Sequence, residues 1–525
     1  MPTTFRPSHY QQAIFDFVRS GSGDGVVRAT AGSGKTTTLV EIAKRLPDDL
    51  SAVFLAFNKH TAEELKARLP RHVHACTVHS LGLRSLMRHY PHLDGKEPDN
   101  RKSRQLIRER LTQIRDEFAV GKQTWPLVEQ YLYDLLKFAM ANVTDTRSEE
   151  QVAALAVEYN LTPPPDYGLE VQCHREVREL LRRRFSLLKE RGLFDYDDML
   201  YIPAVHPKTM RVPQYDFVFV DEAQDLSAVQ LKLVLRAVRE GGRRLFVGDE
   251  RQAIYGFTGA DSDSLNRIVQ QTNATTLPLS VTYRCPRSHV ALARQIAPEI
   301  EAAPDAAEGR VFVIQDAWLH QWVRAGDLVI CRYTAPLVKQ CLTLIRRNIP
   351  AVVRGMDIAR NLEDIARLLF GKGLADWQGQ LAAYRVTEEA RIRQHAASEN
   401  DAERQIAIRM DVLDSLSVLT AEFVNRGGTQ VADLTVYIHG FFSDDDKVPI
   451  VFSTVHKAKG REAERVFILY PNNMPAVYAR TATAARGEAC VQFVAITRAK
   501  RELIFVEQEP RHESSDPVAI MLGDK

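Results

Sequence analysis

"GVVRATAGSGKTTTL", residues 25–39, decides the fold. Its first five residues suit a buried strand, its middle is a glycine turn, and "TTTLVEIAKRL" (36–46) continues with helical spacing. A further strand, "AVFLAFNK" (52–59), follows. The order strand, loop, helix, strand predicts a βαβ unit and a parallel sheet. Backbone N–H groups of a glycine turn that opens a helix can converge on one anion, and the helix dipole strengthens the attraction. Gly32 and Gly34 leave room for that approach, Lys35 supplies charge to the β and γ phosphates, and the Thr36 hydroxyl ligates Mg²⁺. The full pattern asks for glycine at the position held by Ala29. With Thr30, Ala31, Ser33 and Thr37, these residues form the candidate ATP-binding loop.

A nucleotide site also needs a second metal ligand and a group that activates water. "FVFVDEAQD" (217–225) offers both at the end of an apolar strand. Asp221 would hold Mg²⁺, and Glu222 would orient or deprotonate the attacking water. "RRLFVGDERQ" (243–252) extends the same strand cluster. Between the clusters the chain is helical and basic, as in "REVRELLRRRFSLLKERG" (175–192). Later strand-like pieces ("GRVFVIQ", "GDLVICRY", "PIVFSTV", "ERVFILY", "ELIFVEQ") imply a second α/β domain, interrupted by a charged helical stretch. The expected division is therefore 1–91 with 192–275 as one sheet domain, carrying 92–191 as a helical insertion. The other is 276–356 with 441–525, carrying 357–440. "EQEPRHESSDPVAIMLGDK" (507–525) reads as a polar tail.

The bulk numbers set bounds. With 525 residues, 45% of them hydrophobic, the chain can bury several cores. Lys plus Arg total 69 against 67 for Asp plus Glu, so any basic surface must be local. The six cysteines have no CxxC pair, which reads as free buried thiols in a reducing compartment rather than a zinc or iron–sulfur site. No apolar run approaches the roughly 20 residues that span a bilayer, so no membrane partner and a cytoplasmic location are expected. Arg284 in "VTYRCPRS" and Arg498 in "VAITRAK" are candidates for neutralising charge on a transferred phosphoryl group.

With these pieces in order, the chain resembles the superfamily 1A helicases, the UvrD/Rep/PcrA group, over almost its whole length. Gln11 in "SHYQQAI" is similar to the glutamine that reads adenine, and 29–36 to the Walker A loop. "FNKHTAEEL" (57–65) and "CTVHSLG" (76–82) resemble DNA-contacting motifs Ia and Ib, "VDEAQD" (220–225) motif II and "VGDERQAIYGFTGA" (247–260) motif III. "LSVTYRC" (279–285), "STVHKAKGREAE" (453–464) and "FVAITRA" (493–499) resemble motifs IV, V and VI. The resemblance implies two RecA-like P-loop domains of parallel sheet with ATP hydrolysed between them, single-stranded DNA translocation and 3′-to-5′ unwinding of duplexes. It implies that Gln252 senses the γ-phosphate, Tyr283 stacks on adenine, Glu462 contacts the ribose, and Arg284 and Arg498 are arginine fingers. DNA contacts are expected from Asn58, Thr77, His79, Tyr255, Phe257, Thr454 and His456, on single strands and single-strand/duplex junctions.

The chain departs from the family pattern at three places. Thr37 stands where an arginine usually completes the adenine sandwich, Phe257-Thr258 replaces a tryptophan-arginine pair, and 357–440 is shorter than the corresponding subdomain. That last departure keeps a rival reading open: a DNA-stimulated ATPase module that remodels or regulates a repair or phage-defence complex without processive unwinding. RNA is the other alternative substrate, since nothing in the sequence excludes a 2′-hydroxyl. The run Arg182, Arg183, Arg184, Lys189, Arg191 reads as a solvated helix face or a duplex-phosphate contact. The acidic stretch "FDYDDMLYIP" (194–203) reads as structural, with a nuclease metal site as its alternative.

Overall fold

The computed structural model of the chain describes residues 5–118, 121, 124–159, 161, 163–164, 166–254, 264–371, 373–396, 399–445 and 449–508. They divide into two units, Met1–Ala29 with Gly34–Ser280 and Thr30–Ser33 with Val281–Lys525.

The first unit holds six parallel strands: β1 Gly25–Ala29, β2 Ala52–Ala56, β3 Val73–Thr77, β4 Tyr215–Val220, β5 Val238–Gly248 and β6 Thr275–Leu279, in the order β3-β2-β4-β5-β1-β6. Successive side chains of a strand point to opposite faces, and the cores sort accordingly. Val26, Leu55, Val218, Val220 and Phe246 enter one apolar cluster. Their neighbours Val27, Phe54, Phe219, Leu245 and Val247 enter another, on the other face. Burial on both faces is why these strands are apolar runs rather than alternating ones. β3 and β6 were not expected from the sequence; β6 is an edge strand with mostly exposed residues, so its apolar signal is weak.

Helices between β3 and β4 form the insertion of this unit. The longest, Tyr167–Arg191, starts at Asp166, whose side chain accepts the Leu169 N–H, and stops at Gly192, which adopts the left-handed conformation at φ 66°. The basic run of this helix requires a correction. Arg184 is only 1% exposed, so it neither meets duplex phosphates nor lies on a solvated face. It donates to Asp198 (Nε, 3.0 Å) and pairs with Asp195 (2.5 Å), while Lys102 Nζ reaches Asp198 at 2.6 Å. Three helices, Lys102–Ile114, Tyr167–Arg191 and Tyr196–Val205, are thereby joined through buried charge. Burial pushes the Asp195 carboxyl up, but Arg184 and Lys102 outweigh it and hold the group below its ordinary value. The acidic stretch is accordingly structural, as its sequence reading had it.

The helices Val78–His89 and Tyr196–Val205 cross closely at Gly82. A Cβ there would fall 1.8 Å from the Met199 carbonyl oxygen, which is backbone and cannot move aside. Gly82→Ala is therefore expected to destabilise this unit by about 1–3 kcal/mol, read as a lower denaturation midpoint. An unchanged midpoint would contradict the crossing.

The second unit holds a two-stranded pair, β7 Val281–Thr282 with β8 Glu301–Ala302, and a second parallel sheet. The sheet comprises β9 Arg310–Gln315, β10 Leu328–Cys331, β11 Ala351–Val353, β12 Ile450–Thr454, β13 Ala463–Leu469 and β14 Ala499–Glu507, in the order β11-β12-β10-β13-β14-β9. The α/β class and the two parallel sheets agree with the sequence reading. Helices between β11 and β12 share one apolar core with this sheet. Leu413, Leu416 and Leu419 of Glu399–Asn425 join Leu337, Val338, Phe452 and Phe467 in a single cluster. Asp411 of the same helix accepts the N–H groups of Thr334 and Ala335 (2.7 and 2.8 Å) at the start of Thr334–Arg346. All six cysteines are buried, and none is in a disulfide.

Candidate functional site

The neighbouring strands β4, β5 and β1 end side by side at the carboxyl edge of the first sheet, where open α/β sheets place their ligands. β1 delivers Ala29 and the loop. Gly32 (φ 71°) and Gly34 (φ 77°) adopt left-handed conformations that permit the turn, and the helix Lys35–Ala43 begins directly after it. The Ser33 hydroxyl is buried with no partner among the described residues, an orphan that a phosphate oxygen would satisfy. Thr30 and Ala31 are buried, and Thr37 is half-buried.

β4 delivers Asp221 and Glu222. Thr36 Oγ1 donates to Asp221 Oδ2 at 2.6 Å, so a hydroxyl and a carboxylate lie adjacent, the oxygen pair that a hard cation requires. These residues fit Mg²⁺, which would there neutralise charge on phosphate oxygens. Lys35 Nζ lies 3.3 Å from Glu222 Oε1. Burial depresses the Lys35 ammonium, but the carboxylates of Glu222, Asp249 and Asp221 outweigh it and hold it above its ordinary value. Burial, with Glu222 beside it, pushes the Asp221 carboxyl up to about 6.

Glu222 itself adopts φ 52°, an uncommon conformation for a residue with a side chain. Its carboxylate is tied to β5 by a residue that sequence reasoning missed. Gln224, fully buried, donates from Nε2 to Glu222 Oε2 (2.6 Å) and accepts the Asp249 N–H on Oε1 (2.9 Å). Gln252 then donates to Asp249 Oδ2 at 2.6 Å. Lys35, Glu222, Gln224, Asp249 and Gln252 thus form one chain of polar contacts. Gln224 lies between two recognisable acidic groups in "DEAQD", but its amide contacts could not be read from that spacing.

Gln11 makes two contacts within the first unit. In the helix His9–Ser20 its Oε1 accepts the Ser8 N–H (2.9 Å), and its Nε2 donates to Thr38 Oγ1 (2.9 Å). Both ends of the expected adenine-reading amide are engaged inside the protein.

Three nucleic-acid candidates make contacts within their own loops and helix starts. Asn58 caps Lys59–Lys66 by accepting the Thr61 N–H (2.8 Å), and Thr77 caps Val78–His89 by accepting that of Ser80 (3.1 Å). The Thr454 hydroxyl accepts the Lys457 N–H at 3.4 Å. Burial, aided by Arg332 and Lys459, depresses the His456 imidazole to about 3, so it is neutral near pH 7 and cannot ion-pair with phosphate. His79 is also depressed by burial, and lines a small pocket with Phe57, Asp221 and Glu222. Its ring meets Tyr196 edge-on at 6.1 Å. Phe57 and Tyr196, missed in the sequence, are large exposed side chains at 52% and 49%. Tyr255 and Phe257 lie outside the described residues.

In the second unit, Arg284 Nε donates to Glu462, which Lys500 also pairs at 2.6 Å. Arg284 Nη1 and Arg498 Nη2 both meet Thr497, on its carbonyl and hydroxyl oxygens (3.4 Å each). Arg498 is 1% exposed and donates further to the carbonyls of Val494 and Arg461. Tyr283 is half exposed, and its N–H donates to the Gly32 carbonyl at 2.9 Å. Sequence spacing gave no sign of Thr497 as the shared acceptor.

Residues 11–273 match the family described as UvrD/REP helicase N-terminal domain, and residues 382–509 the UvrD-like helicase C-terminal domain. The chain is 23% identical over 521 residues to F-box DNA helicase protein 1 of Schizosaccharomyces pombe, covering 91% of this chain and 55% of that protein. It is 28% identical over 256 residues to F-box DNA helicase 1 of Gallus gallus, covering 48% of this chain and 24% of that protein. With ATP-dependent DNA helicase srs2 of S. pombe the identity is 24% over 369 residues, covering 64% and 40%. The chain therefore spans about half or less of the length of these relatives.

Proposed function

Because the chain belongs to the UvrD/REP helicase family, we propose that it hydrolyses ATP to move along single-stranded DNA in the 3′-to-5′ direction and to separate duplexes. The observation that carries this reading is the pairing of Lys35 with Glu222 and of Thr36 with Asp221 at one sheet edge. Lys35 and the loop amides bind the triphosphate, Thr36 and Asp221 hold Mg²⁺, and Glu222 orients the attacking water. Arg284 and Arg498 supply, in this reading, further cationic charge for phosphoryl transfer. The relatives named as DNA helicases support DNA as the polymer.

The edge beside these carboxylates also carries the DNA surface in this reading. Exposed Phe57 and Tyr196 offer stacking faces; Phe57 and His79 line the pocket with Asp221 and Glu222, and the His79 ring meets Tyr196 edge-on. Stacking on an aromatic contributes about 1–3 kcal/mol per base. Tyr196→Ala is therefore expected to raise the single-stranded DNA concentration for half-maximal ATPase stimulation by about tenfold, with the basal rate unchanged. No shift would remove Tyr196 from the DNA surface.

Strand displacement on duplexes with a 3′ or a 5′ tail tests the activity as a whole. Displacement of the 3′-tailed duplex alone is the expected result. ATP hydrolysis with no displacement of either would replace this reading with that of a regulatory ATPase module.

A further inference from the structure

The amino edge of the first sheet, one strand length from Asp221, carries a groove that the nucleotide reading leaves unused. It is lined where β4 and β5 begin, by Tyr215 and Val238, and by the segment that precedes β4. Arg236 fixes that segment, its guanidinium donating to the carbonyls of Pro203, Pro207 and Met210. Between Met210 and Tyr215 the chain has no helical or strand pairing of its own. Among the described residues, the N–H groups of Arg211, Val212 and Gln214 make no hydrogen bond, although the Arg211 carbonyl accepts from the Ser85 hydroxyl at 3.0 Å.

Two exposed guanidiniums flank this segment. Arg88, in the last turn of Val78–His89, and Arg211 both line the groove, and neither has a carboxylate partner among the described residues. Among the described residues the lining includes no aspartate or glutamate, and its floor is aliphatic, with Val212, Leu235 and Val238. Free backbone amides, an aliphatic floor and unpaired guanidiniums are three complementary features of an extended peptide with acidic side chains. Amides of an unpaired segment accept a partner strand by main-chain hydrogen bonds. Guanidiniums fork carboxylates in bidentate geometry, and aliphatic residues take the intervening side chains.

We propose that this groove docks an extended segment of a partner protein in which acidic residues alternate with aliphatic ones. Nucleic acid fits it less well, because Tyr215, the one aromatic lining it among the described residues, is buried and offers no face for a base. Its place at the amino edge keeps the docked segment clear of Lys35, Asp221 and Glu222, so the inference stands independently of the helicase reading.

The test is fluorescence anisotropy of the full chain with a fluorescein-labelled peptide of alternating glutamate and valine. A lysine–valine peptide and an oligo-dT of similar length serve as comparison probes. The glutamate–valine peptide is expected to bind saturably, more weakly as salt is added, and far better than its lysine counterpart. In the double variant Arg88→Glu, Arg211→Glu its affinity is expected to fall by at least about tenfold while ATP turnover stays at the parental rate. Amide exchange at Arg211, Val212 and Gln214 is expected to slow when the peptide is added. Equal affinity in the double variant, no binding at millimolar peptide, or unchanged exchange at those amides would overturn the proposal. Oligo-dT binding lost in the same variant would reassign the groove to nucleic acid.

Discussion

Replacing Glu222 with glutamine is expected to lower DNA-stimulated ATP turnover by about 10²–10⁴-fold while leaving nucleotide affinity within a few-fold. The amide keeps the size of the side chain and can still meet Gln224, but it cannot take a proton from water. It also removes the charge that faces Lys35 at 3.3 Å and that helps raise the Asp221 carboxyl. Metal binding at Asp221 should therefore not suffer. Lys35→Ala differs in kind, because in the proposed reading the ammonium would meet the phosphates in the ground state as well as during transfer; binding and turnover should fall together. Phosphate release and fluorescent-nucleotide binding separate the two cases. Turnover of the Glu222 variant within tenfold of the parental rate would exclude a proton-accepting role.

Arg184→Ala is the largest stability effect expected outside the catalytic edge, a loss of about 3–5 kcal/mol. Asp195 and Asp198 are buried against this guanidinium, and Lys102 alone cannot neutralise both. The pH dependence follows from the sign of the shifts. Without Arg184 both carboxyls would have folded pKa values raised above their unfolded ones by burial. The variant's deficit should then be greatest near neutrality. It should narrow as acid protonates the pair, from their raised pKa values down to the ordinary carboxylate range near about 4. Urea denaturation at pH 7 and pH 5 measures both the size and the direction. A deficit that grows with acid would contradict the assignment.

How much of this could be read from the sequence depends on whether a residue's chemistry or its surroundings decide its role. The central strands β2 and β4 were legible because both their faces are buried, leaving unbroken apolar runs. The edge strand β6 has a proline and mostly exposed side chains, and β11 has only three residues, so neither raised a signal. Lys35, Thr36, Asp221 and Glu222 were legible because the loop and the strand end fix their positions locally. Gln224 was not, since its importance lies in joining Glu222 to Asp249 across two strands. Arg184 was misread for the same reason: a run of positive charge along a helix does not reveal which member turns toward buried carboxylates. His456 carries a titratable ring, and only the fold reveals that burial, with Arg332 and Lys459 nearby, holds it far below its ordinary value.

The most direct measurement of the central claim is steady-state phosphate release from ATP as single-stranded DNA is titrated in, with Lys35→Ala alongside. Saturable stimulation of at least about tenfold, abolished in the variant, is the predicted result. A rate that DNA leaves unchanged, or one that survives loss of the lysine, would contradict it.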